Sequence, residues 1–414
     1  MDGMYKGMVV GEMIAAQVTL KKLEQLFVDE RWDMVLRMSD AAIATAEKLR
    51  VVINNVVCAS RMYSMLAAAH RELGNIHKAI ELYEESKSVL DSLEGTTEKS
   101  QAYGNTAVCY AEVGRYEEAL SLYKKSFGWC DSESDKHKVM YCIGNCQNKM
   151  GNHTKAFQCY QKAFAMAKKR DDLVEQIVCM QNMARCRLLM ADYDTAYSLY
   201  EDSSALLPDF FRQNGIPIKI RTTNSIGMGV VRWAQAREAG MEGSQSIDRS
   251  QHWLRTDALV HLESALAECS EAPTVSGYIV RDVLMYMAFV FADDGRDTDA
   301  LQALRRMLDV YMTDARVCCW TCAQARGPHV PMLRCGRCKV ARFCNAECQS
   351  MASSKEGSKN GDHIVRHREL CPLLDEWREM GLGRTTVDSC LELQTAFLHG
   401  PDYGPGAWPR PPHT

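Results

Sequence analysis

Eight of the chain's 18 cysteines crowd between Cys318 and Cys371. They arrive as CCWTC, CGRC and CNAEC, and the segment closes on HRELC. Thiolates two or three residues apart can both be presented by one turn of backbone to a single tetrahedral ion. CGRC supplies Cys335 and Cys338, and CNAEC supplies Cys344 and Cys348. At the two ends the spacing leaves a choice: Cys318 or Cys319 with Cys322, and His363 or His367 with Cys371. Using His363 and His367 together would strand Cys371 and stretch the gap after Cys338 to 24 residues, against ~12 in a two-Cys, two-His finger. Burial alone does not produce three tight pairs followed by H-x3-C. Eight protein ligands complete two four-coordinate zinc sites with no open position, so the expected Zn2+ is structural rather than catalytic.

The pattern resembles the MYND-type zinc finger, in which C-x2-C and C-x2-C are followed by C-x3-C-Q and H-x3-C. The matching residues are Cys319–Cys322, Cys335–Cys338, Cys344–Cys348 with Gln349 after it, and His367–Cys371. The resemblance implies interleaved sites, with Cys319, Cys322, Cys344 and Cys348 on one Zn2+ and Cys335, Cys338, His367 and Cys371 on the other. It departs from the family where Ile364 replaces a tryptophan and where the polar stretch SSKEGSKNGD lengthens the gap before His367. The family implies recognition of short proline-containing peptides. Residues 401–414, PDYGPGAWPRPPHT, are themselves proline-rich, so docking of this tail on the finger is an expectation too.

Between Arg316 and Cys371 ten basic residues face four acidic ones, a balance of +6. Seven thiolates and two divalent ions would reduce this to about +3, too little for nucleic-acid binding on charge alone. Over the whole chain the net charge is −4, which likewise argues against a general nucleic-acid binder. The other cysteines lie mainly in apolar helical patterns, where a reduced thiol behaves as a small hydrophobe. A reducing compartment, cytosolic or nuclear, is expected. There is no apolar run of membrane-spanning length, and the N-terminal stretch makes a poor signal peptide.

What must carry the cysteine-rich segment is a helical array. Residues 1–207 contain no proline, and within them the chain repeats itself. MLAAAHRELGNIHKAIELYEES, TAVCYAEVGRYEEALSLYKKS, IGNCQNKMGNHTKAFQCYQKA and MARCRLLMADYDTAYSLYEDS align on Gly74, Gly114, Gly151 and Ala191. A small residue precedes each turn by seven positions (Ala67, Ala107, Gly144, Ala184) and another follows by five (Ala79, Ala119, Ala156, Ala196). A tyrosine stands four further on: Tyr83, Tyr123, Tyr160, Tyr200. Small residues let paired helices approach, the turn residue reverses the chain, and the aromatic plugs into the next pair. The pattern resembles tetratricopeptide repeats in a longer variant than the ~34-residue type, similar to kinesin light chain. A further copy carries Ala288, Gly295 and Ala300, another is split by GMEGSQSIDRSQ, and a weaker one surrounds Trp32. PDFFRQNGIP (208–217) and SEAPTVS (270–276) read as connections.

The expected architecture is all-α: a helical-hairpin solenoid over 1–315, a two-zinc MYND-type finger over 316–375, and a helix with a proline-rich tail over 376–414. Such repeats present a concave surface to peptides. By resemblance, that surface uses first-helix residues Asn105, Asn145, Asn148, Lys149, Asn182 and Arg185. The expected function is a non-enzymatic adaptor for protein partners, with no membrane or direct nucleic-acid contact. The alternatives are a RING-like ubiquitin ligase and a MYND-containing protein methyltransferase. The methyltransferase needs a strand-rich SET domain with an Asn-His motif; the single Asn-His pair, Asn152–His153, falls at a repeat turn, and repeats already occupy the first 310 residues. Cys142 and Cys146, one helical turn apart, lack a local histidine and read as core. His137 and His153 are expected at helix starts or turns, without a catalytic role.

Overall fold

Each hairpin turn is closed by the same backbone device. The computed structural model describes residues 2–214, 218–241, 249–271 and 277–307, except positions 54, 92, 94–96, 297, 301 and 305, together with 333–334 and 342–343. The first helices are α1 (Asp2–Val28), α2 (Trp32–Arg37), α3 (Ser39–Lys48), α4 (Val56–Glu72) and α5 (Ile76–Leu90). They are followed by α6 (Thr97–Glu112), α7 (Tyr116–Gly128), α8 (Glu133–Lys149), α9 (His153–Lys169) and α10 (Leu173–Leu189). Beyond these come α11 (Tyr193–Asn214), α12 (Ile218–Met241), α13 (Arg249–Glu271) and α14 (Gly277–Asp293). Two short strands, β1 (Leu333–Arg334) and β2 (Arg342–Phe343), pair antiparallel with Leu333 opposite Phe343. The chain divides into two compact units, which meet in sequence between Cys146 and Gln147.

The turn glycines Gly74, Gly114, Gly151 and Gly295 have φ of +83°, +79°, +76° and +70°. At the equivalent place Ala191 is forced to +56°. In each case the next residue's N–H reaches back five residues: Asn75 to the His70 carbonyl, Arg115 to Tyr110, Asn152 to Gln147, Asp192 to Arg187 and Arg296 to Phe291, all at 2.8–2.9 Å. The turn residue's own N–H bonds three residues back, as Gly74 does to Arg71 at 2.9 Å. This double bond pattern satisfies the orphan carbonyls of the preceding helix and needs a left-handed residue at its centre. Glycine adopts that conformation without steric cost.

Between the turns, the small residues close the hairpins as expected: Ala67, Ala79, Ala107, Ala119, Ala156, Ala184 and Ala196 are fully buried. Tyr83, Tyr123, Tyr160 and Tyr200 are buried with them. Tyr200 lies against the next pair so closely that a Cβ on Gly227 of α12 would sit 2.3 Å from its ring. A buried serine pair, unmarked by any hydrophobic pattern, recurs one repeat apart. The Ser60 and Ser86 hydroxyls are 2.7 Å apart, and those of Ser100 and Ser126 3.1 Å. Each pair ties the two helices of one hairpin.

Two readings of the sequence need correction. The connection expected from residue 208 is helical as far as Asn214. Pro208 forfeits a helix bond, but Leu207 is buried with Ile177 and Ile220, so packing carries α11 through it. His137 lies one turn into α8 rather than at its first residue, buried and stacked on Tyr141 at 6.4 Å. The helices either side of GMEGSQSIDRSQ do form a pair, and α1 precedes α2 around Trp32, whose ring meets Phe27 edge-on at 4.9 Å. The zinc ligands, the proline-rich tail and the helix expected before it fall outside the described residues.

Candidate peptide-binding surfaces and metal centre

In the first unit, Asn105 on α6 and Asn145 on α8 are half-buried. In the second, Lys149, Asn182 and Arg185 are half-buried, and Asn148 is buried. Asn148 is committed internally: its Oδ1 accepts from His153 Nδ1 at 2.8 Å and from Cys186 Sγ at 3.8 Å. It thereby ties α8 to α9 and α10. Asn182 Nδ2 donates to the Val178 carbonyl of its own helix at 2.9 Å. Arg185 lies near the buried Tyr200.

The second unit also contains a buried polar cluster that hydrophobic periodicity could not signal. Gln181 Nε2 donates to the Ile220 carbonyl at 2.8 Å and to Asn224 Oδ1 at 2.9 Å. Ser203 Oγ donates to the same Asn224 oxygen at 3.1 Å, and Asn224 Nδ2 donates to Ser204 Oγ at 3.1 Å. Amides and hydroxyls buried together fix the mutual register of α10, α11 and α12 more strictly than apolar contact does. The only trace in the sequence is an Asn and a Gln in mid-helix.

A cavity of about 350 Å³ opens at the α10–α11 turn, lined among others by Asp192, Asp194, Gln235 and Glu238. Beside it, Arg232 joins several groups. Its guanidinium lies 3.7 Å from the Tyr197 ring centroid and 5.3 Å from that of Trp253. Its Nε donates to Asp257 at 2.9 Å, and its Nη1 to Gln235 at 3.0 Å. Tyr197 Oη and His261 Nε2 are 3.1 Å apart. Burial holds the His261 imidazole below its ordinary pKa, which favours the neutral ring.

Cys142, Cys146 and Cys179 are not reactive centres. Burial pushes the Cys142 thiol up to about 11, against a hydrogen bond with Tyr123 that acts the other way. It raises Cys146 further, and pushes Cys179 up to about 12. A nucleophilic cysteine needs its thiolate at neutral pH, so these belong to the core. Among the described residues no group of three or more His, Cys, Asp or Glu could hold a metal ion. The expected zinc ligands all lie outside those residues.

Comparison with known proteins places the helical part. A family model for the tetratricopeptide repeat matches residues 58–128 and 136–209. These segments are tetratricopeptide repeats. The apo form of RapI is 12% identical over 72% of this chain and 97% of its own, with a TM-score of 0.50. Aspartyl phosphate phosphatase F from Bacillus subtilis is 12% identical over 74% of this chain and 72% of its own, at TM-score 0.49. A tetratricopeptide repeat protein from Parabacteroides merdae is 13% identical over 71% and 93%, also at 0.49. At such identities the likeness concerns the fold alone. No curated protein matches the chain in sequence. Among the described residues no helix is long and apolar enough to cross a membrane.

Proposed function

We propose that the protein is a non-enzymatic adaptor that binds protein partners through its tetratricopeptide repeats and through a two-zinc, MYND-type module. The repeats carry the first half of this reading. Stacked hairpins bury their small and aromatic positions and leave polar first-helix side chains at the surface, an arrangement suited to binding peptides. Asn105, Asn145, Lys149, Asn182 and Arg185 are the half-buried candidates; amides and cations of this kind satisfy peptide carbonyls and carboxylates. Asn148 would act indirectly, by holding α8 against α10.

The second half rests on the cysteine spacing and its likeness to the MYND-type finger. One ion would be held by Cys319, Cys322, Cys344 and Cys348, the other by Cys335, Cys338, His367 and Cys371. Bound zinc supplies folding free energy rather than chemistry when all four positions are protein ligands. By family likeness the folded module would take short proline-containing peptides, and residues 401–414 are one candidate ligand.

Affinity capture tests the reading, using the full chain as bait beside a Cys335→Ser/Cys338→Ser variant and a repeat-only bait of residues 1–315. Partners retained by the repeats alone assign recognition to the hairpins; partners lost with the cysteines assign it to the zinc module. Ubiquitin-chain formation by the full chain with purified conjugating enzymes would overturn the non-enzymatic reading.

A further inference from the structure

Large apolar side chains on α13 face solvent instead of the core. Trp253 is 56% exposed and Val260 57% exposed. Seven residues apart, they form one stripe about 10 Å long on a single side of the helix. The Trp253 ring is held in place: Arg232 lies over it at 5.3 Å and is itself fixed by Asp257. An exposed, pre-positioned indole is a typical interface anchor.

The surroundings of this stripe are acidic. The described side chains of α11 include the carboxylates Asp194, Glu201 and Asp202 and no lysine or arginine, and those of α13 include Asp257, Glu263 and Glu268 beside one arginine, Arg255. Neither helix contains a lysine. The nearby cations are already engaged: Arg232 with Asp257, Arg237 with Asp293, and Arg255 with Asp294. Glu201, Glu238 and Glu263 have no ion pair among the described residues, and Asp194 is bonded only to the neutral Gln235, at 3.0 Å. A second copy docking stripe to stripe would place these carboxylates against one another, so charge disfavours self-association and nucleic acid alike.

We infer that the outer face of α11 and α13 is a docking site for a basic peptide segment of a partner protein, one carrying an aromatic or proline side chain beside its arginines or lysines. The apolar side chain covers Trp253 and Val260, and the cations meet Glu201, Glu238 and Glu263 and reach toward the cavity at Asp194. This rests on the adaptor reading above but uses side chains other than the first-helix candidates and the expected zinc ligands.

The test uses the full chain with zinc and two labelled twelve-residue synthetic peptides sharing one Trp-Pro anchor, one with four arginines and the other with four glutamates. Fluorescence anisotropy should show binding of the basic peptide only, weakening as NaCl rises. Trp253→Ala should weaken it roughly ten-fold, and Glu201→Gln with Glu263→Gln by a similar factor. Trp253 is exposed, so unchanged helical circular dichroism is expected and confirms that the variant folds. The Cys335→Ser/Cys338→Ser chain should bind as well as the parent. Failure of the basic peptide to bind, equal binding of both peptides, or indifference to Trp253→Ala would overturn the inference. So would a dimer, seen by sedimentation, that Trp253→Ala dissolves. Each of these can occur with partner capture intact, and loss of partner capture with peptide binding intact would instead overturn the adaptor reading alone.

Discussion

Gly151 and Ala191 occupy the same place in successive hairpins, with φ of +76° and +56°. Exchanging their residue types isolates the cost of a left-handed turn. A Cβ added at Gly151 meets nothing within 4 Å, so Gly151→Ala changes no packing. It should cost about 1–2 kcal/mol in left-handed strain. Against this, an alanine narrows the unfolded ensemble and returns about 0.4–1 kcal/mol. The expected net is a loss of roughly 0.5–1 kcal/mol. Ala191→Gly should gain about as much, because the strain is already present in the parent. The two sites lie a full repeat apart, so the double variant should return close to the parent stability. Urea unfolding followed by circular dichroism of the zinc-loaded chain reads the shift in midpoint at constant slope. Native-state hydrogen exchange should place it in α8–α9 for the first variant and α10–α11 for the second, since repeat arrays respond locally. If Gly151→Ala were neutral, or Ala191→Gly destabilising, the claim that these turns need a left-handed residue would be refuted.

The remaining predictions follow from the same structure. Gly227→Ala drives a methyl to within 2.3 Å of the Tyr200 ring, so it should lower stability by about 1–3 kcal/mol through overpacking, against near-neutral behaviour for the exposed Gly128→Ala, where nothing lies within 4 Å. Metal analysis of the purified chain should find about two zinc ions, as eight ligands in two four-coordinate sites require. Chelation should then abolish structure in residues 316–371 while the helical signal persists; one ion or none would sink the interleaved assignment. In alkali, Cys142 and Cys269 titrate near 11 in the folded chain, whereas an unfolded thiol titrates near 8.5. Stability from these groups is therefore full below about pH 8.5 and lost as pH rises toward 11, because the unfolded chain releases the protons first. Urea midpoints that stayed flat over that window would contradict the burial assigned to these thiols.

Much of the helical part was legible because its determinants are local or strictly periodic. The turn glycines, the alanines that close each hairpin and the plugging tyrosines recur at fixed offsets. A left-handed turn or a close helix crossing admits few residue types, so these positions announce themselves. The spacing of the cysteine pairs is local in the same sense, since one turn of backbone must present both thiolates. What the sequence could not disclose depends on neighbours brought from afar. Pro208 looked like a helix end until Leu207 was seen packed with Ile177 and Ile220. Asn148 looked like any surface amide, yet it is buried against His153 and Cys186. Trp253 could equally have been core, and only the packing of α13 against α12, with Arg232 held between Tyr197 and Asp257, leaves its indole facing solvent. Spacing along the chain therefore determined which helices pair and how they turn. Tertiary packing decided which polar groups are spent inside and which apolar ones remain outside, because burial is set by distant surfaces rather than by neighbours in sequence.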